Sequence, residues 1–188
     1  VLAHGVHLDP AEVKALRSVG ASIAHCPSSN LKLGSGVADV IGLRKAGITV
    51  GLGADGAACN NRLDAFEEMR LAALLARSRG GPGALTAWDV LAMATIEGAK
   101  ALHADAEIGS LTVDKRADVV VLDAELLAPG GDEATRIVFG GGSRAVRDVI
   151  VDGQLLVRGS VPVRFDPAAV RAAASDAAPG LMARAGIH

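Results

Sequence analysis

Short apolar runs alternate with amphipathic stretches through the first half of the chain. Val1-Leu2-Ala3, Ala21-Ser22-Ile23-Ala24 and Ile48-Thr49-Val50-Gly51-Leu52-Gly53 are each too short for a helix and read as buried strands. Helix signals lie between them. Asp9-Pro10-Ala11-Glu12 combines an N-capping aspartate, a proline at the first helical position and a glutamate that closes a capping box. The helix it opens turns Val13, Leu16 and Val19 to one face and stops at Gly20. Ser28 to Val37 reads as a polar loop. A short helix from Asp39 to Ala46 then ends at Gly47, and a longer one runs from Leu63 to Arg77. Strand, loop and helix thus recur three times, the rhythm of parallel strands joined by helical crossovers.

Beyond the break Arg79-Gly80-Gly81-Pro82-Gly83 the pattern changes. Thr86 and Asp89 form a second capping box, Leu85 can staple to Val90, and the helix is expected to reach about Leu102. Four short β segments follow: Ile108–Leu111, Ala117–Asp123, Val146–Val151 and Gln154–Val157. Asp152-Gly153 is a strong two-residue hairpin signal. Loops are expected between these strands, which makes a small antiparallel module. From Asp166 to Ala183 the chain is alanine-rich and reads as a helix interrupted at Pro179-Gly180.

A closed barrel of parallel strands takes eight β/α units. Three units leave an unpaired edge, and the chain opens at Val1 inside an apolar run. The expectation is a piece of a longer barrel.

Half of the residues are apolar, yet the aromatics are only Phe66, Trp88, Phe139 and Phe165, so the core must be built from alanine and aliphatic side chains. A formal net charge of −2 with interspersed signs argues against a nucleic-acid partner. No apolar run approaches the roughly 18 residues of a membrane span. Two cysteines, Cys26 and Cys59, are too few for a disulfide framework, and a cytoplasmic location is expected.

Each of the three strands ends on a group with chemistry: His4, His25 and Asp55. Parallel neighbours lie about 4.8 Å apart, so such ends can converge. A carboxylate with imidazoles suits a divalent metal such as zinc, and the carboxylate can take a proton from activated water. Taken singly, a strand-end aspartate more often caps the next turn and a histidine is more often structural. Three on successive strands favour a site.

The segments Val1-Leu2-Ala3-His4-Gly5-Val6-His7-Leu8, His25-Cys26-Pro27-Ser28-Ser29-Asn30 and Gly51-Leu52-Gly53-Ala54-Asp55-Gly56, followed by Phe66-Glu67-Glu68-Met69-Arg70, occur in this order. Together they resemble the carboxyl half of the amidohydrolase superfamily, in particular its 5-methylthioadenosine/S-adenosylhomocysteine deaminases and the related triazine hydrolases. Ile108-Gly109-Ser110-Leu111 and Lys115-Arg116-Ala117-Asp118-Val119-Val120 resemble the β-sandwich that follows the barrel there.

The resemblance implies an α/β fold, the C-terminal portion of a TIM (β/α)8 barrel plus a small antiparallel β-sandwich. Residues 1–104 would hold the last three β/α units and the following helix, 105–165 the β module and 166–188 a helical tail. It further implies hydrolytic deamination of an amino-substituted heterocycle, such as an adenosine derivative, through a metal-bound hydroxide. Zinc is the expected metal, with iron as the alternative. Asp55 would be a metal ligand and proton shuttle. His4 would be catalytic, bonded to the attacking oxygen or the substrate. His4, Asp55, Asn30 and Cys59 would contact the substrate, with His25 near the mouth of the site. Lys32 reads as structural, His7 as non-catalytic, and Glu67, Glu68 and Arg70 as a solvated charge cluster.

The family's His-x-His pair is missing: the histidines are His4, His7, His25, His103 and His188. The remaining metal ligands and the catalytic glutamate would precede Val1, so the 188 residues alone should be inactive. The expected partners are a small heterocycle and water, with no nucleic acid and no membrane, and the full-length parent should be a homo-oligomer. The alternatives are hydrolysis of a triazine ring, with loss of chloride or an amine, and a non-catalytic piece or pseudoenzyme that serves assembly.

Overall fold

The strands of the computed structural model form two sheets of opposite character. It describes residues 1–186; the last two positions of the expected tail, Ile187 and His188, lie outside the described residues. The first sheet is parallel, in the order β1 (Leu2–Ala3), β2 (Ser22–His25), β3 (Thr49–Leu52). Its crossovers carry α1 (Pro10–Ser18) and then α2 (Pro27–Lys32) and α3 (Val40–Lys45). After β3 come α4 (Ala57–Asn60), α5 (Ala65–Gly80), α6 (Ala87–Ala94) and α7 (Ile96–Ala101). The second sheet is antiparallel: β4 (Val119–Leu122), β5 (Val146–Val151), β6 (Gln154–Arg158) and β7 (Val161–Pro162), with α8 (Glu133–Gly140) between β4 and β5. The exposed α9 (Pro167–Ala185) closes the described chain.

The capping signals hold in atomic detail. Asp9 and Glu12 exchange side-chain-to-backbone bonds, as do Thr86 and Asp89. At the hairpin, Asp152 and Gly153 both take left-handed backbone, the requirement of a type I′ turn. Ile23 and Val50, paired across β2 and β3, point into the main core with Val40, Leu43, Met69, Ala72 and Val90. On the opposite face, Gly51 meets α7. A Cβ there would sit 2.9 Å from Gly98 Cα, so only glycine allows the helix to lie this close.

Several expectations are corrected. β1 is exposed, because it is a two-residue edge strand with a neighbour on one side only. Val19 lies past the last turn of α1 and faces solvent. The stretch expected to be a loop from Ser28 to Val37 contains most of α2, whose Ser29, Asn30 and Lys32 side chains each bond to another segment. The helix expected to reach Leu102 breaks at Thr95, whose hydroxyl bonds the Leu91 carbonyl at 2.7 Å in the manner that bends helices. The break lets α7 turn onto β3 while α6 packs on α5 and α8.

Ile108–Leu111 is not a strand. It is a loop pressed on α7, where a Cβ on Gly109 would lie 3.0 Å from Ile96 Cα. Nor do loops alone join the β segments: α8, capped by Asp132, buries Ala134 and Val138. Finally, α9 runs through Pro179 without interruption, carried by the high helix propensity of its alanines. No helix among the described residues is long and apolar enough to cross a membrane.

Candidate active site

Parallel strands deliver their carboxyl ends to one edge. At that edge the His4 Nε2 lies 3.8 Å from Asp55 Oδ2, with the two side chains 39% and 27% exposed. Both residues have left-handed backbone, φ 69° and 62°, a conformation that non-glycine residues adopt rarely and at a cost, and that recurs at functional sites. The His4 N–H still donates to the Ala24 carbonyl at 2.8 Å, so the pairing of β1 with β2 persists up to the turn.

Two consecutive residues of α2 hold this pair from beneath. The Ser29 hydroxyl donates to Asp55 Oδ2 at 2.5 Å, and the Gly56 N–H donates to Oδ1 at 2.7 Å. His4 Nδ1 donates to Asn30 Oδ1 at 2.8 Å, which leaves Nε2 facing the carboxylate. The Ser29 hydroxyl and then the Gly56 N–H, with lesser help from His4 and the Cys59 thiol, keep the Asp55 carboxyl below the usual carboxylate range against the opposing effect of desolvation. Asp55 is therefore an ionised acceptor at neutral pH.

A second layer fixes the loops that carry these residues. Glu68, 2% exposed, accepts from Ser28 N–H at 3.1 Å and from Asn60 Nδ2 at 2.6 Å. The same Asn60 nitrogen donates to the Ala54 carbonyl at 2.8 Å, next to Asp55. Glu68 thus belongs to no solvated cluster, contrary to the expectation from its charged neighbours. Arg70 likewise has a specific partner, donating to the Phe139 carbonyl at 2.9 Å at the end of α8. Lys32 braces α2 against the next loop by donating to the Ala58 carbonyl at 2.8 Å and to Asn61 Oδ1.

His25 does not join His4 and Asp55. It points to the helix-facing side of the sheet, 1% exposed, beside Val37, Ala38, Val40, Ala72 and Ala76. Burial, with a smaller effect of His4, pushes its pKa down to about 4. Its Nδ1 has no hydrogen-bond partner among the described residues. His7 turns away as well, donating from Nε2 to the Ser35 carbonyl at 2.9 Å. Cys26 is buried beneath Gly53, and burial together with the charges of Asp55 and Glu68 raises its thiol pKa. Cys59 lies partly buried on α4.

Residues 1–156 match the Amidohydrolase family. The chain belongs to the amidohydrolase family. The chain is 45% identical over 188 residues to the 5-methylthioadenosine/S-adenosylhomocysteine deaminase of Halobacterium salinarum, a match that covers 98% of the chain and 43% of the relative. A crystal structure of an adenosine deaminase from Xanthomonas campestris with bound zinc superposes with a TM-score of 0.88 at 36% identity, over 93% of this chain and 40% of that one. Atrazine chlorohydrolase from Arthrobacter aurescens, complexed with zinc, gives a TM-score of 0.82 at 31% identity, over 93% and 40% of the two chains. The chain therefore spans less than half the length of these relatives.

Zinc in those neighbours poses a test for the donors present here. Among the described residues no group of three or more His, Cys, Asp or Glu side chains is placed to hold a metal ion. Asp55 and His4 are two donors, fewer than the three or four protein ligands that zinc takes. The residues that sequence reasoning passed over are Ser29 and Glu68. Ser29 carried a usable signal: a hydroxyl just past a strand end at the edge where the reactive groups gather. Glu68 carried none, since its burial depends on Asn60 and Ser28 from other segments.

Proposed function

We propose that this chain forms part of a metal-dependent hydrolase that removes the amino group of a heterocycle such as an adenosine derivative. The observation that carries the reading is the His4–Asp55 pair, with an ionised carboxylate and a free imidazole nitrogen 3.8 Å apart on an accessible sheet edge. In deamination, water adds to the carbon that bears the amino group, the carbon–nitrogen bond breaks and ammonia leaves. Asp55 is the proton acceptor from water and the donor to the departing amine. His4 offers Nε2 to the oxygen that adds or to the ring. Cys59 borders the same pair and is assigned to substrate contact; Asn30, also expected to contact the substrate, is instead buried behind His4 and bonded to its Nδ1.

In this reading β1 to β3 are the last three strands of a TIM barrel in residues 1–104, followed by a β-sandwich module in 105–165 and a helical tail. Asp55 is one zinc ligand of a set whose other members lie in a longer polypeptide. When bound, zinc would supply Lewis-acid activation of water. The names of the relatives favour a nucleoside-type substrate. Similarity to a chlorohydrolase favours ring hydrolysis of a triazine as the second reading.

The test is turnover by a full-length, zinc-loaded protein containing this chain. Ammonia release from 5-methylthioadenosine or S-adenosylhomocysteine supports the first reading. Preference for a chlorinated triazine replaces it with the second, and inactivity on both leaves an assembly role.

A further inference from the structure

The first turns of α2 send three consecutive residues to three destinations. Ser28 donates its backbone N–H to Glu68, Ser29 donates its hydroxyl to Asp55, and Asn30 Oδ1 accepts a hydrogen bond from His4 Nδ1. Ser29 and Asn30 are 0% and 2% exposed, whereas the groups they hold are open to solvent. The holding groups are sealed and the held groups are accessible.

Resting on the deaminase reading above, we propose that Ser29 and Asn30 are positioning residues, and that α2 sets the separation and orientation of the two reactive groups. His4 follows β1 and Asp55 follows β3, so the sheet ties their backbones only through β2, and it does not orient the two side chains, which Ser29 and Asn30 touch directly. Ser29 and Gly56 each engage one oxygen of Asp55, which fixes the carboxylate plane. Asn30 presents its carbonyl oxygen, which only accepts, and so selects the His4 tautomer with hydrogen on Nδ1 and directs Nε2 outward.

The other end of the Asn30 side chain argues the same way. Its buried Nδ2 finds no partner among the described residues, so the bond to His4 is the one its side chain makes there. Glu68 completes the arrangement: it ties Ser28 directly, and Ala54 through Asn60, to one buried carboxylate. The loop holding Asp55 and the helix holding Ser29 cannot drift apart independently.

The experiment uses the full-length, zinc-loaded enzyme with 5-methylthioadenosine. Ser29→Ala and Asn30→Leu should each lower kcat by about 10- to 100-fold, the scale of a reactive group displaced by an ångström, with KM, zinc content and Tm close to wild type. Ser29→Thr and Asn30→Asp, which keep the donor and the acceptor, should stand well above their partners. On a His4→Ala background Asn30→Leu should cost less than about twofold more, because its effect passes through His4. Should Ser29→Ala fail to fold, Ser29→Cys carries the test, with a smaller loss of kcat in the same direction.

Unchanged kcat in Ser29→Ala and Asn30→Leu, or losses fully additive with His4→Ala, overturns the positioning roles while the deaminase reading stands. A wild-type enzyme inactive on amino heterocycles overturns that reading and the positioning roles with it.

Discussion

His4 and Asp55 meet across a strand that belongs to neither of them. They follow β1 and β3, with β2 between, yet their side chains come within 3.8 Å. Two strand spacings amount to about 9.6 Å. Left-handed backbone at both residues brings the side chains over the end of β2. Room for this exists because His25, the residue that ends β2, points to the other side of the sheet.

Replacement of Asp55 by asparagine in the full-length protein is expected to remove nearly all turnover, by about 10²-fold or more, since an amide takes no proton and is a poorer ligand. Folding should change little at this accessible edge. Wild-type rates with normal metal content in Asp55→Asn would reject the proton-transfer role.

His4→Ala is expected to lower kcat by about 10²-fold, typical of a lost acid–base partner. His7→Ala should leave kcat alone and cost about 1 kcal/mol of stability, because its bond is to the Ser35 carbonyl. Steady-state kinetics and denaturant melts on the two variants separate these effects. An inverted outcome would move the catalytic role to His7.

Stability should depend on pH through His25. An unfolded histidine binds its proton near pH 6.5, whereas the buried one does so only near 4. Between those values the unfolded chain holds more protons, so stability is full above about pH 6.5 and falls as the pH drops toward 4, by up to about 3 kcal/mol. Asp39 and Arg79 border the same small cavity and are the charged groups that face His25 there. Urea melts from pH 7 to 4 should show the slope, and His25→Gln should flatten it. An equal slope in the variant would place the titration elsewhere.

Gly51→Ala tests the approach of α7 to β3. The added methyl would lie 2.9 Å from Gly98 Cα, and backbone cannot give way as a flexible side chain does. A loss of about 1–3 kcal/mol is expected, the range for overpacking. Circular dichroism melts with no change would show that α7 shifts freely.

Residues 1–188 expressed alone should bind zinc weakly, since they bring one carboxylate and one imidazole to the candidate site. Both edges of the parallel sheet are unpaired among the described residues, so self-association is expected. Sedimentation with metal analysis decides it. A stable monomer with one tightly held zinc would refute the shared-site reading.

The parallel sheet and its crossovers are legible in the sequence because each signal is local: a capping box at Asp9, glycine stops at Gly20 and Gly47, apolar runs between. α2 is not legible, because Ser28, Ser29 and Asn30 are weak helix formers whose placement is decided by Glu68, Asp55 and His4. α8 does carry a readable pattern, Asp132 as cap and Ala134, Ile137 and Val138 on one face, but it stands among glycines that read as loop. His25 shows the limit of reading strand ends: the residue type suggested the site, while the parity of β2 turned it to the opposite face. The strand ends that bring Asp55 and His4 together were legible in the sequence, whereas the Glu68 network beneath them was not.

α8 has a consequence for cooperativity. In sequence it separates β4 from β5, yet it packs on α5 and α6 beside the parallel sheet. The hairpin β5–β6 is local and can close within microseconds. β4 can join it only by closing the intervening loop, and that loop is shortened in effect when α8 docks. The antiparallel sheet thus borrows its last pairing from the helices of the other half, and the two halves should unfold in one transition. A single proteolytic cut near Gly130-Gly131, between β4 and α8, would split that transition in two.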